Sequence, residues 1–405
     1  MSESGVARAR SETGVVVRAA VVLGLVWFGD ALIYVVMPLH AQAFGISLGL
    51  VGVVLSVNRI VRILGYGWVS AASRRFGLRA LTATAALGAA LSTIAYGVVL
   101  GAVALVLARL VWGMAYAVLN VTTTAYAIGD GRGTGRRVGI NRGVSTIGPT
   151  LALSAGAWLT LELGPRAVFV VLGLAGLLAI PLALTLPREL ATDPKTGGAA
   201  GSRWVPSSLN VLFFANAAVE GAFAFTLSLL FAGALPLSSA LLAAGLILAF
   251  QRLMTVLLSF VGGVLVDRAG PYRVLIPCVA LVVTGLFALA HGVLYPAAIA
   301  IVIVRSLLSV TGPVLAARER SGTTVERLAA FATWVDSGLA VGPLMSGFFV
   351  ARFGLPALYQ TLAVGIAVAL VVHLGRRRAD FMSDRRRGGL GGARCAGGAP
   401  VCPPK

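Results

Sequence analysis

Two acidic residues stand inside long apolar stretches, Asp30 within Gly29-Asp30-Ala31 and Glu220 within Val219-Glu220-Gly221, and a shift of 190 positions superimposes them. Arginines share that setting: Arg59 and Arg62 in one run, Arg252 in another, and Arg109 and Arg305 in two more that correspond to each other. An ionisable group at the centre of a membrane helix costs about 2.5–3.5 kcal/mol unless it is paired or wet. Facing lipid, these groups together would cost on the order of 20 kcal/mol, more than the roughly 5–15 kcal/mol by which a fold exceeds its unfolded chain. They are therefore expected to line one polar cavity.

Such a cavity could do two kinds of chemistry. A buried carboxylate beside a guanidinium is a candidate proton carrier, because burial and the neighbouring cation push its protonation in opposite directions. Asp30 and Glu220 are the candidates for proton or cation coupling. Surplus guanidinium binds carboxylate or phosphate bidentately, which makes Arg59, Arg62, Arg109, Arg252 and Arg305 candidates for substrate anchoring and charge balance. Arg59 and Arg62 are three apart and Asn58 and Arg62 four apart, so one helical face presents amide and guanidinium donors together. Gln251-Arg252 matches Asn58-Arg59 under a shift of 193. Of the nearby aromatic residues Tyr34, one turn beyond Asp30, joins the candidate site; Trp27, Phe28, Trp112, Tyr116, Phe213, Phe214 and Phe225 read as packing. The competing reading locks each acid to an arginine for packing alone.

The elements that must position these residues form a duplicated unit. Leu48, Gly52, Leu55, Arg59, Leu64, Arg75 and Gly77 fall on Leu241, Gly245, Leu248, Arg252, Leu257, Arg268 and Gly270 under the 193-residue shift. Hydrophobic residues make up 58% of the 405 and charged residues 12%, with mean hydropathy +0.93, against about 25% charge in soluble domains. A span needs about 20 apolar residues. Twelve are read, at 16–38, 47–70, 79–98, 102–125, 140–160, 166–186, 208–232, 239–264, 273–293, 297–317, 329–350 and 356–374. The chain is thus expected to be an all-α membrane protein of two pseudo-symmetric six-helix bundles, 16–186 and 208–374. A cytoplasmic N-terminus (1–15), a flexible cytoplasmic linker (187–207) and a disordered basic tail (375–405) complete it. The first run holds Asp30 and no small-residue cleavage site follows it, so it reads as an uncleaved span.

The net charge of +19 comes almost entirely from arginine clusters between spans. They fall at the N-terminus, the even-to-odd loops and the C-terminus, with only Arg166 and Arg352 opposite, which places both termini in the cytoplasm of a multi-pass inner-membrane protein. No soluble basic domain is left over for nucleic acid. Cys278, Cys395 and Cys402 give neither a metal-ligand spacing with histidine nor a disulfide framework. No Gly-x-x-x-x-Gly-Lys-Ser/Thr loop for ATP occurs. Neither an enzyme, a cofactor nor a metal is implied, and a monomer is expected.

At this point the residues resemble the major facilitator superfamily over nearly the whole chain. Gly263-Val264-Leu265-Val266-Asp267-Arg268-Ala269-Gly270, followed by Arg273, is similar to the family signature after the second span of each half. The first-half copy departs from it, with Gly67, then Arg74 in place of the acid, Arg75, Gly77 and Arg79. The resemblance implies two bundles rocking about a central site, and loops that latch onto the eleventh and fifth spans. The latches expected here are Arg74 toward Asp336 or Glu326, with Arg75 beside it, and Asp267 toward Arg142 or Arg137, with Arg268 beside it. Arg109-Leu110-Val111-Trp112-Gly113 resembles the family's Arg-x-x-Gln-Gly element of proton coupling, with Trp112 for the amide. Gly148-Pro149, and more closely Gly338-x-x-x-Gly342-Pro343-x-x-x-Gly347, resemble its antiporter element, read as gate-helix glycines and prolines.

The function this implies is alternating-access export of a small organic molecule, possible anions included, in exchange for protons. Uptake or exchange of an organic anion is the alternative on the same fold. A sensor or assembly partner that moves nothing is the alternative of another class.

Overall fold

The computed structural model describes residues 3–129, 133–188, 205–233, 235–319 and 322–394. Within them the apolar runs form α1 (Glu3–Leu39), α2 (Leu48–Phe76), α3 (Leu78–Val98), α4 (Ala102–Ile128) and α5 (Thr134–Leu163). Span α6 follows in two pieces, Ala167–Gly176 and Ala179–Leu184. The second half repeats the pattern as α7 (Ser208–Ala232), α8 (Leu237–Ala269), α9 (Pro271–Ala290) and α10 (Leu294–Ala317). A continuous helical stretch, Thr324–Arg394, breaks at Gly354 (φ 82°) and therefore comprises two spans, α11 (324–353) and α12 (355–394). Helices stand at all twelve expected spans, in two six-helix bundles, ten helical stretches being long and apolar enough to cross a membrane, and no strand occurs among the described residues.

Single glycines make the tightest reversals. Gly77 (φ 76°) alone separates α2 from α3, and Gly270 (φ 89°) alone separates α8 from α9, a conformation that side chains with a Cβ rarely adopt. Gly77 and Gly270 are also a matched pair of the 193-residue repeat, so the repeat preserves the turn. One expectation changes here. The basic stretches after the second and eighth spans are helical, with Arg74 and Arg75 in the last turn of α2 and Arg268 in the last turn of α8. Cations there offset the negative end of the helix dipole.

Most of the expected linker, residues 189–204, lies outside the described residues, as do Arg132 and the tail from Cys395. The stretch 375–394, expected to lack structure, continues α12 as helix. No proline interrupts it before Pro400, and arginine, leucine and alanine favour helix.

Large apolar side chains such as Leu161, Val103 and Phe348 are at least three-quarters exposed, as a lipid-facing surface requires. Between the halves the backbones meet at the arginine-rich end. A Cβ on Gly135 would stand 2.5 Å from the Gly263 carbonyl oxygen, and a Cβ on Gly139 would collide with the Ser259 carbonyl. Toward the other end Gly52, Gly245 and Gly347 have nothing within 4 Å of that position. The halves are closed at the arginine-rich end.

Candidate functional site

In the first half Asp30 on α1 bonds Arg109 on α4 directly. The Arg109 Nη2 donates to the Tyr34 hydroxyl at 2.8 Å and its Nη1 reaches the Tyr96 hydroxyl at 3.4 Å. Arg109 is fully buried; its charge is held by one carboxylate, two phenol oxygens and, at 3.5 Å, the Leu55 carbonyl. Asn58 turns toward this cage, donating to Tyr34 at 3.5 Å.

The second half repeats the device. Glu220 on α7 meets Arg305 on α10 at 2.5 Å, and Arg305 also donates to the Asn216 backbone and side-chain oxygens at 2.8 and 3.1 Å. The two pairs differ in access. The Asp30 side chain is 4% exposed, whereas that of Glu220 is 41% exposed.

Between the halves a third carboxylate appears. Asp336 on α11 accepts from the Tyr66 hydroxyl at 2.7 Å, and the Arg62 Nε lies 3.3 Å from the same oxygen as an ion pair without hydrogen-bond alignment. Arg62 also stacks over the Tyr116 ring at 4.7 Å. Arg59 donates to the Leu339 carbonyl at 2.6 Å, so three side chains of α2 grip α11. This corrects the expected place of Asp336 in a surface latch. Ten residues separate it from Glu326, about 15 Å of helix rise, and Asp336 lies inside the protein at the cavity. The Arg62–Tyr66 spacing of four residues was a legible signal for a second donor on that face.

All three carboxylates border one cavity of about 410 Å³. Its walls come from α1, α2, α4 and α5 of one half and α7, α8, α10 and α11 of the other, with Tyr34, Arg59, Arg62, Arg142, Arg252 and Arg305 among them. Gln251, expected here, is not part of the lining, and Asn58 stands behind it. Arg142, expected in a latch, faces the cavity instead.

At the arginine-rich end Arg74 pairs with Glu326, as expected. Asp267 does not reach Arg142 or Arg137. Its two oxygens accept from the backbone N–H groups of Gly135 and Arg136 at 2.7 and 2.8 Å. The first turn of a helix carries unpaired donors and partial positive charge, and α5 begins at Thr134, so backbone takes the place expected of a guanidinium. Arg137 binds Glu12 and the Ile128 carbonyl, both at 2.7 Å. Arg75 stacks on Phe76 at 5.3 Å, and among the described residues neither Arg75 nor Arg268 bonds the other half.

The gate-helix glycines serve close packing within each half. A Cβ on Gly148 would run into the Gly24 carbonyl of α1, and one on Gly342 into the Ala218 carbonyl of α7. Gly338 is equally close to the Phe214 carbonyl, while Pro343 abuts Gly221 and Gly347 meets nothing. Gly148-Pro149 and Gly342-Pro343 are thus equivalent in sequence and in packing, which fixes the α5-to-α11 shift at 194.

A family model described as Major Facilitator Superfamily matches residues 19–317. Among solved structures the human organic anion transporter MFSD10 (TETRAN) is similar at 17% identity, with TM-score 0.73 over 89% of this chain and 99% of that one. The proton:xylose symporter XylE, bound to 6-bromo-6-deoxy-D-glucose, gives 15% identity and TM-score 0.72 over 89% and 95%. The transporter FucP in the outward conformation gives 16% and 0.70 over 90% and 98%. Comparison with curated proteins gives no match. At these identities the structural likeness speaks for the fold.

Proposed function

The chain belongs to the major facilitator superfamily, and from that premise we propose that it exports a small organic molecule across the inner membrane in exchange for protons. The observation that carries the reading is the carboxylate–arginine pair built once in each half, Asp30–Arg109 and Glu220–Arg305, both opening on one cavity between the halves. A structural pair needs no access to that cavity, yet the Glu220 side chain is 41% exposed.

The arginine-rich end is the cytoplasmic one by the positive-inside rule. Closure there, with the cavity residue Glu220 41% exposed, corresponds to an outward-facing state. In this state a proton arriving from outside reaches Glu220 first. Its neutralisation loosens Arg305, while Asp30 stays sealed beneath Tyr34 until the bundles rock. Substrate leaves outward as the proton enters, and Glu220 releases it when the cytoplasmic end opens.

The test is proton movement in proteoliposomes challenged with pools of organic acids, cationic drugs and cell metabolites. One pool is expected to drive proton flux that Glu220→Gln removes. Substrate flux without proton movement, unchanged by that substitution, would overturn the coupling. A second reading, uptake or exchange of an organic anion, is favoured by the excess of arginine in the cavity. Accumulation in inverted vesicles under an imposed proton gradient supports export, and accumulation only in right-side-out vesicles supports uptake.

Arg74–Glu326 and Asp267 with the α5 N-terminus serve as latches of the outward-facing state. The Arg74 side chain is 57% exposed, and exposed ion pairs contribute about 0.2–1 kcal/mol. Arg74→Glu is therefore expected to slow transport by up to about fivefold. Adding Glu326→Arg restores the rate, whereas adding Asp336→Arg does not. Rescue by the Asp336 change, or by neither, would remove this latch.

A further inference from the structure

The two halves grip each other unequally across the cavity, and the sequence repeat shows where a contact is missing. Arg59 and Arg62 of α2 fall on Arg252 and Thr255 of α8 under the 193-residue shift, and Asp336 of α11 falls on Arg142 of α5 under the 194-residue shift. On one side Arg62 meets Asp336 and Arg59 bonds the Leu339 carbonyl, so α2 is tied to α11. On the other side the position matching Arg62 is Thr255, whose hydroxyl turns to the Gln251 carbonyl of its own helix at 2.8 Å. Facing it, the position matching Asp336 is the cation Arg142.

With a cation at 142, a bridge equivalent to Arg62–Asp336 would need an acid opposite it at position 255, and Thr255 is not one. Among the described residues neither the Arg142 nor the Arg252 guanidinium forms a hydrogen bond or an ion pair, and the Arg142 Nε is buried without a partner. Both line the cavity, one from each half, and both lie within electrostatic reach of Glu220, which Arg305 already holds at 2.5 Å. Five guanidinium groups (Arg59, Arg62, Arg142, Arg252, Arg305) line the cavity, and with Arg109 buried behind Asp30 six stand against three carboxylates (Asp30, Glu220, Asp336). The surplus of three is concentrated where two of the arginines have no protein partner.

We propose that the transported molecule is an amphipathic organic anion whose carboxylate, phosphate or sulfonate group binds between Arg142 and Arg252. This rests on the transporter reading above and names its substrate class. The anion supplies the charge missing at Thr255 and ties α5 to α8 as Asp336 and Leu339 tie α11 to α2. Trp27 of one half and Phe331 of the other line the same cavity and offer apolar surface for the body of the molecule. Guanidinium suits this role because its planar donors bind such groups in pairs. A ligand bridging the halves would also link its own binding to their approach.

The experiment is binding of 2-naphthoate and 2-naphthyl phosphate to the purified full-length protein, followed by tryptophan fluorescence, with 2-naphthamide and 2-naphthylmethylamine as neutral and cationic counterparts. At least one anion is expected to bind saturably and more tightly than both counterparts. Arg142→Gln and Arg252→Gln each weaken it about tenfold or more, and Arg142→Lys retains part of the affinity. Thr255→Asp, which restores the missing acid, weakens the anion similarly by occupying Arg142 from within. Equal binding of the neutral or cationic compound, no saturable binding of either anion, or unchanged affinity in both glutamine variants overturns the proposal. Binding is read without a gradient, so a failure of proton coupling would leave the anion site standing, and a failure of the anion site would leave coupling to be judged by proton flux.

Discussion

Asp30→Asn is expected to abolish proton-coupled transport and to lower the thermal stability of the purified protein sharply. The substitution leaves the Arg109 guanidinium fully buried with no counter-charge, only neutral acceptors: the new amide oxygen, the Tyr34 and Tyr96 hydroxyls and the Leu55 carbonyl. Removing one member of a buried pair costs about 3–5 kcal/mol, because the remaining charge is uncompensated. Combining it with Arg109→Gln removes both charges and is expected to recover most of the stability but none of the proton flux. Glu220→Gln provides the contrast. Its side chain is 41% exposed, water can solvate the orphaned Arg305, and coupling is lost at a much smaller cost in stability. Unfolding midpoints and proton flux on the same preparations separate the two roles. An Asp30→Asn protein that still moves protons at the wild-type rate would make that pair structural only.

The second large effect concerns closure at the arginine-rich end. Gly139→Val is expected to hold that end open. The backbones of α5 and α8 meet so closely that even a Cβ at Gly139 would collide with the Ser259 carbonyl and stand 3.1 Å from the Gly263 Cα. These neighbours are backbone atoms, which cannot rotate aside, so the helices must separate. Shifting an equilibrium from 1:99 to 99:1 takes about 5.5 kcal/mol, within reach of steric overlap between two helix backbones. With the three native cysteines replaced and a reporter cysteine at Asn120, which lines the cavity, a membrane-impermeant thiol reagent should label the parent from the arginine-poor side. The Gly139→Val protein should be labelled from the arginine-rich side and transport at a small fraction of the parent rate. Labelling from the arginine-poor side in both would show that this contact does not set the state. Ala at the same position gives an intermediate result, since its single Cβ overlaps less than the Val side chain.

Much of this architecture was legible in the chain because it depends on local pattern. Hydropathy over about 20 residues marks spans whatever they pack against, and arginine clusters mark the ends. The 193-residue repeat announced two equivalent bundles and even the matched turns at Gly77 and Gly270. The costs of buried charge were enough to bring Asp30, Glu220 and Arg305 to a common cavity, with Arg109 behind it on Asp30. Which arginine each acid meets was not legible there; the structure pairs Asp30 with Arg109 and Glu220 with Arg305.

What the chain could not declare was which helices of different halves face each other, and at what depth. Asp336 and Glu326 read alike as acids near the start of one span, yet about 15 Å of helix rise separates a surface partner for Arg74 from a cavity partner for Arg62. Asp267 was assigned a side-chain partner, but the free N–H groups at the start of α5 lay closer, and no residue type encodes a helix terminus as a ligand. Arg142 was counted as a latch because its position in sequence is near the end of a span; the turn of α5 it occupies aims it at the cavity. Local sequence fixes the period of each helix and the cost of each charge. Contacts between helices far apart in the chain depend on rotation and depth, where one helical turn, about 5.4 Å, decides whether a charge meets a partner, a backbone or water.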